Sequence, residues 1–464
     1  MLFAARYYDR NDLGGLALAI GFVALVQPVL TLRYEIAVVL AARDRSARSI
    51  LCGLLAIACF GYSGLVFLVF ALPSLLANVV PGHVVVEVRV PVLLHVAALT
   101  LNVACSAWLQ RKKRFAVIAW TQVGGSVITA VWVVTAALVG SPSLGALVWG
   151  NTAGLLVATG IVLAGCAASG LFRGGRLGKV RRVIALLRQY RVYPLYSLPL
   201  TLSSQVSDRA RLIYITSAFS LSLLGGVFSV RQIFLGAVFV VTGSMSQVVF
   251  PHLCQGSGLA ASRRMLLALT AGVATMAGIA LGFVSGYPRE ITLLLLGERW
   301  LDIAPLVPWI AARCAFLAIA GWQGRLLDVA GRQRADAVLQ LAGDVALVSV
   351  LAVLFVVSVS PTAAIAIISI TEMAHSVLWL VLAYRVTRLG MRYACAAFLV
   401  LLLATAVMWT IAVLSEGMLG SRVGLPFCAA IVGASAAFIL TLTAKSIGRA
   451  DASLRLPKHR ARAA

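Results

Sequence analysis

The sequence predicts an all-α, polytopic transmembrane helical bundle of two pseudo-symmetric lobes, and three observations carry that expectation. Apolar residues fill 61% of 464 positions and charged residues only 12%, against roughly 25% charged in soluble domains, whose surfaces need polar groups to meet water. The apolar stretches mostly run 20 to 30 residues. That matches the ~20 residues with which a helix crosses a hydrocarbon core, its backbone hydrogen bonds satisfied internally. Basic residues collect in alternate gaps between these stretches, as in a chain that crosses a membrane repeatedly. A β-barrel would show alternating segments of about ten residues, and no such pattern occurs.

Apolar runs bounded by polar or Gly/Pro breaks give thirteen spans, over 13–39, 50–78, 87–109, 115–139, 144–169, 195–219, 224–250, 265–285, 303–328, 335–358, 361–384, 393–414 and 424–446. One set of loops holds 28 Lys and Arg, including Arg43, Arg45 and Arg48, the run Arg111-Lys112-Lys113-Arg114 and seven residues between 173 and 191. The other set holds six: Arg6, Arg10, Arg89, Arg289, Arg299 and Arg422. The richer side is cytoplasmic, which places the C-terminus inside and the N-terminus outside a bacterial-type cytoplasmic (inner) membrane. The net charge of +24 is thereby spread over short loops rather than gathered on one soluble face, so no nucleic-acid partner is expected. Eight scattered cysteines without a CxxC pair predict neither a disulfide nor a metal site. No cofactor is expected.

The basic segment 171–192 divides the chain into an N-terminal lobe, 1–170, and a C-terminal lobe, 193–390. Two additional helices fill 391–448, and a basic cytoplasmic tail 449–464. Within the divider, Val180, Val183, Ile184 and Leu187 share a helical face, with Lys179, Arg181, Arg182 and Arg188 largely elsewhere. This pattern predicts either an interfacial helix on the anionic inner leaflet or a plain basic linker. Leu13-Gly14-Gly15 and Leu224-Gly225-Gly226 open helices that start 211 residues apart and run in the same direction, which points to parallel repeats. In that alignment the 195–219 helix has no counterpart ahead of residue 13. The alignment therefore leads one to expect one helix fewer in the first lobe than a fourteen-helix plan, either because the chain starts late or because the protein lacks that helix.

Three stretches give the chain a family likeness. Ala5-Arg6-Tyr7-Tyr8 to Gly14, followed by Thr31-Leu32-Arg33-Tyr34-Glu35-Ile36-Ala37, is one. Tyr193-Pro194-Leu195-Tyr196-Ser197-Leu198-Pro199 is the second, and Arg325-Leu326-Leu327-Asp328 with Gly331-Arg332-Gln333 the third. They resemble the second helix, the start of the seventh and the linker after the tenth in Wzx-type polysaccharide (O-antigen) flippases of the multidrug/oligosaccharidyl-lipid/polysaccharide exporter superfamily. The resemblance implies fourteen helices around a cavity that faces alternate sides. It also implies a membrane-lipid substrate, an oligosaccharide on polyprenyl pyrophosphate moved from inner to outer leaflet, with polysaccharide assembly proteins as further partners.

Such a substrate carries dense negative charge, and arginine suits it because its planar fork pairs with phosphate oxygens and stays protonated. Ionisable residues inside spans are costly and point to function. Arg231, about seven residues into its helix, is the leading pyrophosphate-binding residue; the alternative is an arginine that snorkels outward or pairs with a carboxylate. Arg209 and Arg211 lie at similar depth in the preceding helix, where Asp208 and Arg211, three apart, can pair with each other. Arg33 has a positive-inside role open to it, and the resemblance makes it a substrate contact; Glu35, two positions on, points elsewhere on a continuous helix, so no mutual pair is expected. Arg313 and Asp344 are expected to form a structural ion pair. Glu372, with His375 nearby, and Glu35 are the coupling candidates. Pro28, Pro194, Pro199, Pro305 and Pro308 can bend helices.

The expected function is therefore a flippase, not an enzyme, and the absence of a GxxxxGK[ST] motif predicts no ATP hydrolysis within the chain. A cation-coupled multidrug exporter is the alternative, for which acidic residues should dominate the cavity. A glycan polymerase or ligase is a second alternative, disfavoured by the short external loops.

Overall fold

The computed structural model describes residues 2–41, 43–71, 82–171, 180–254, 258–323, 326–329, 332–419 and 423–435. Residues 72–78 of the second expected span, Lys179, Arg325, Gly331, Arg422, residues 436–446 of the last span and the 449–464 tail lie outside them. Every regular element among the described residues is helical, and none is a strand. The helices are α1 (Leu2–Tyr7), α2 (Arg10–Thr31), α3 (Glu35–Leu40), α4 (Asp44–Ala71), α5 (Gly82–Arg111), α6 (Phe115–Leu138), α7 (Leu144–Ala168), α8 (Val180–Gln189), α9 (Leu198–Ala218), α10 (Leu221–Cys254), α11 (Gly258–Gly286), α12 (Pro288–Leu295), α13 (Val307–Gly321), α14 (Leu326–Val329), α15 (Gln333–Val356), α16 (Pro361–Val386) and α17 (Met391–Leu419). A π-helical turn at Tyr193–Ser197 leads into α9, and a 3-10 segment at Glu298–Leu306 leads into α13.

Eleven helices among the described residues are long and apolar enough to cross a membrane, so the chain is a multi-pass, all-α membrane protein. Two of the thirteen expected spans are not among the eleven, for different reasons. The 195–219 span is present as the 21-residue α9, long enough to cross but too polar to count. The last span is described only over Val423–Ser435.

The chain divides into two compact units, Phe3–Phe228 and Ser229 onward. This boundary differs from the linker at 171–192 read from the sequence. Two packing relations explain the shift: α9 packs on α2, and the first turns of α10 lock onto the start of α2. A Cβ at Gly14 would stand 2.2 Å from the carbonyl oxygen of Leu221, and one at Gly225 would stand 2.1 Å from that of Arg10. Arg10 and Leu221 are themselves 211 residues apart, so the contact is reciprocal under the same shift that relates the two LGG motifs. Reciprocity of this kind is the signature of a local two-fold relation.

In the N-terminal unit α2 is the hub, packed against α4, α5, α7 and α9. The α5–α7 seam is stitched by side-chain hydrogen bonds at a seven-residue repeat. Thr152 Oγ1 donates to the carbonyl of Pro91 (3.1 Å), Thr159 Oγ1 to that of Ala98 (3.1 Å), and Cys166 Sγ to that of Cys105 (3.3 Å). Such bonds contribute about 0.6 kcal/mol each in lipid. Buried Trp108 anchors the end of the same seam, donating from Nε1 to Ser169 Oγ at 2.9 Å. Beside it Arg111 and Lys112 both pair with Asp44.

In the C-terminal unit, α11 lies along α17 on a glycine stripe. Cβ atoms at Gly278, Gly282 and Gly286 would stand 2.5, 2.5 and 2.3 Å from Leu401 O, Thr405 O and Ala412 Cβ. Small residues four apart let backbones meet closely where lipid gives no hydrophobic drive between helices.

The divider forms α8, but its apolar face is only partly free for lipid. Cβ atoms added at Gly53 of α4 would meet Val183 and Leu187 at 2.7 and 2.9 Å, and the Tyr34 hydroxyl donates to Leu187 O at 3.1 Å. Val180 and Ile184 remain exposed beside Arg181 and Arg182. Half of the stripe thus seats on α4, because that glycine leaves room for it, and the other half faces outward.

Gly14→Ala and Gly225→Ala should each lower stability by about 1–3 kcal/mol, since backbone must shift to admit the methyl. Alanine at Gly64 or Gly160, which face nothing within 4 Å, should be neutral or slightly stabilising. Thermal unfolding of the four variants in one detergent checks this.

Candidate functional site

The most polar of the described helices long enough to span a membrane is α9, which carries Thr201, Ser203, Ser204, Gln205, Ser207, Asp208, Arg209 and Arg211 within three turns. Pro194 and Pro199 explain its wide entry, since each lacks the amide a regular turn would use, and the π-turn at Tyr193–Ser197 absorbs the misfit. The sequence-predicted cations on α9 have different settings. Arg211 is buried and pairs with Asp208, as its spacing suggested. Arg209 is half-buried and donates from Nη2 to the neutral Gln205 Oε1 at 3.0 Å. Its stem lies across α2: a Cβ at Gly21 would meet Arg209 Cδ at 3.2 Å and Nη1 at 3.4 Å. Gly21 is therefore the seat that lets a guanidinium lie against the hub helix. Arg209 Nε is buried without a hydrogen-bond partner, and so is Nε2 of Gln27 further along α2. Gln27 and Gly21 were not legible as site residues, because neither carries charge.

The Arg33 expectation needs correction. Arg33 Nη1 donates to Glu35 Oε1 at 3.1 Å. The span expected over 13–39 breaks between α2 and α3, where Leu32 and Arg33 hold φ of 47° and 59°. A left-handed pair reverses the side-chain directions that a continuous helix would impose, so residues two apart meet. Arg33 Nε and Glu35 Oε2 are buried and make no further hydrogen bond.

In the C-terminal unit, Arg313 pairs with Glu372 rather than with Asp344. The reason is packing: α13 lies against α16, and α16 in turn against α15, so Glu372 stands between the other two helices. Asp344 is buried on α15 and accepts from Gln340 Nε2 at 3.2 Å. His375 fills the gap that Gly343 leaves; a Cβ there would fall 2.0 Å from its Nδ1. Trp379 Nε1 donates to Asp336 at 2.9 Å, closing the same α15–α16 face. Arg231 is half-buried on α10, one turn before Phe234.

Among the described residues no group of His, Cys, Asp and Glu is arranged to hold a metal ion. What the two units offer chemically is guanidinium groups inside helices of spanning length. The carboxylates Glu35, Asp208 and Glu372 are each bound to an arginine.

Removing one partner of the partly buried Arg313–Glu372 pair should cost up to about 3 kcal/mol by stranding the other charge, whereas a volume-matched apolar double replacement should recover most of it. Unfolding midpoints of Arg313→Met, Glu372→Met and the double variant test this; an Asp344→Asn variant should leave the coupling between them intact. A search of family models, curated proteins and solved structures gives no match to this chain, so its own residues carry the functional argument.

Proposed function

We propose that the chain is a membrane flippase for an oligosaccharide carried on polyprenyl pyrophosphate, moved from the inner to the outer leaflet by alternating access. The observation that carries this reading is Arg209: a guanidinium seated over Gly21, facing a neutral amide, with a buried donor that has no partner. A buried donor without an acceptor costs about 1–3 kcal/mol, and more when charged. A pyrophosphate oxygen removes that cost, and the fork geometry of arginine suits it. The C-terminal unit carries a cation of its own, Arg231, half-buried on α10. Arg211 and Arg33 contribute less, because Asp208 and Glu35 already compensate them.

The cation-coupled drug exporter fits less well. A cationic drug calls for an acidic surface, and three carboxylates that a drug would use are each held by an arginine. In the proposed reading the basic loops face the cytoplasm of a bacterial inner membrane, the C-terminus is inside, and the polar stripe of α9 replaces water around the moving headgroup.

Arg209→Ala and Arg231→Ala should each remove surface polysaccharide while membrane levels of the protein stay normal, and Arg209→Lys should restore part of it, since a point charge replaces the fork. Polysaccharide extracted from cells complemented with each variant is the measurement; wild-type amounts with alanine at both positions would refute the reading. Orientation has its own check. A fluorescent protein fused at the C-terminus should fold and emit, whereas a periplasmic phosphatase at the same place should be inactive.

A further inference from the structure

The C-terminal unit contains an apolar cavity of about 240 Å³ walled by α10, α11 and α13. Phe234 and Val238 form one wall, Met276 and Ala280 the second, Ala311 and Ala315 the third, and the remaining lining residues are also apolar. The space equals roughly eight water molecules at about 30 Å³ each, yet water needs polar partners, and a cavity lined in this way stays dry and takes an apolar guest. In a unit whose helices cross a membrane, the guest at hand is a hydrocarbon chain.

A cation stands at the head of one wall. Arg231, Phe234 and Val238 follow at i, i+3 and i+7 and so share one face of α10. Arg231 is thus about 4.5 Å along the axis from the first lining residue. Ligands that satisfy both features have an anionic head and an apolar chain leaving it directly. The walls favour one kind of chain. Alanines on all three helices are interspersed with larger apolar side chains such as Phe234, Met276 and Leu281, and a lining of mixed depth suits a chain with regularly spaced methyl branches better than a smooth acyl chain.

We infer that this cavity is the seat of the isoprenoid segment next to the pyrophosphate, with Arg231 holding the headgroup at its mouth. The inference rests on the flippase reading and adds to it a subsite for the carrier tail. It makes recognition of the carrier independent of the sugar, because head and tail are both gripped within one unit.

The test uses the full chain in nanodiscs with farnesyl pyrophosphate and inorganic pyrophosphate as probes. Ala277→Phe and Ala315→Phe, which fill the cavity, should weaken farnesyl pyrophosphate at least tenfold and leave inorganic pyrophosphate unchanged; Arg231→Gln should weaken both. A benzophenone analogue of farnesyl pyrophosphate should crosslink the wild-type chain within 265–286 and 307–321, a readout that does not depend on how the variants fold. Excess phosphatidylglycerol should not displace it. Wild-type affinity in both phenylalanine variants, crosslinks confined elsewhere, or displacement by phosphatidylglycerol would each overturn the inference. Failure of the flippase reading looks different: normal polysaccharide export by Arg231→Ala, with prenyl-pyrophosphate binding still blocked by the cavity-filling variants, removes the transport role and leaves the site.

Discussion

Close approach of helix backbones is the constraint on which this structure depends. Between helices in lipid there is no hydrophobic drive, because the solvent is as apolar as the side chains. Association then comes from dispersion at short range and from polar groups that reach across. The chain uses both. Gly14 and Gly225 bring two helix starts against each other's carbonyls, and Gly278, Gly282 and Gly286 do the same for α11 on α17. Where side chains are larger, Thr152, Thr159 and Cys166 donate across the α5–α7 seam at seven-residue intervals. The seven-residue repeat follows from two turns of helix, which return a side chain nearly to the same face.

Charges are placed on top of this packing, and most are compensated as they are introduced. Arg33 with Glu35, Arg211 with Asp208 and Arg313 with Glu372 are three separate devices. The second is local to one helix, the third joins two helices, and the first depends on a backbone break. Holding two non-glycine residues in the left-handed region costs about 1–2 kcal/mol apiece. That cost is offset by what the break permits: Tyr34 becomes buried and reaches Leu187 O, and α3 turns to pack on α4 and α5.

The fold class was legible because hydropathy and loop charge depend on composition over long windows, which tolerates error in any one residue. The matched spacing of the two LGG motifs was legible too, although it gave no hint that the helices they open touch. The pairing of charges was legible only within one regular helix, as for Asp208 and Arg211. Arg33–Glu35 was missed because a left-handed pair has no signature without glycine or asparagine. Arg313–Glu372 was missed because the order of helices in space is not their order in the chain. The compact units do not divide at the basic linker for a similar reason: packing of α9 and the start of α10 onto α2 decides where compactness ends. The apolar cavity leaves no trace in sequence at all, since its alanines and valines read as ordinary span residues.

α9 shows how far the physics of the fold alone can account for the chain. As a membrane span it is poorly made, because composition excludes it from the apolar helices although its 21 residues have the length. Part of the polarity is absorbed locally: Thr201 and Thr216 donate to carbonyls four residues back, Asp208 holds Arg211, and Gln205 takes one bond from Arg209. Replacing buried charges with matched apolar groups generally leaves a protein as stable or more so. At Gly21 both the Arg209 stem and its Nη1 lie against α2, and a volume-matched apolar side chain would fill the same seat. The guanidinium of Arg209 is therefore not needed to hold α9 in place, and its buried Nε leaves it one donor short of satisfied. Under the proposed function, an acceptor that arrives from outside the chain accounts for a group that the fold does not need, kept in the medium where it is most expensive.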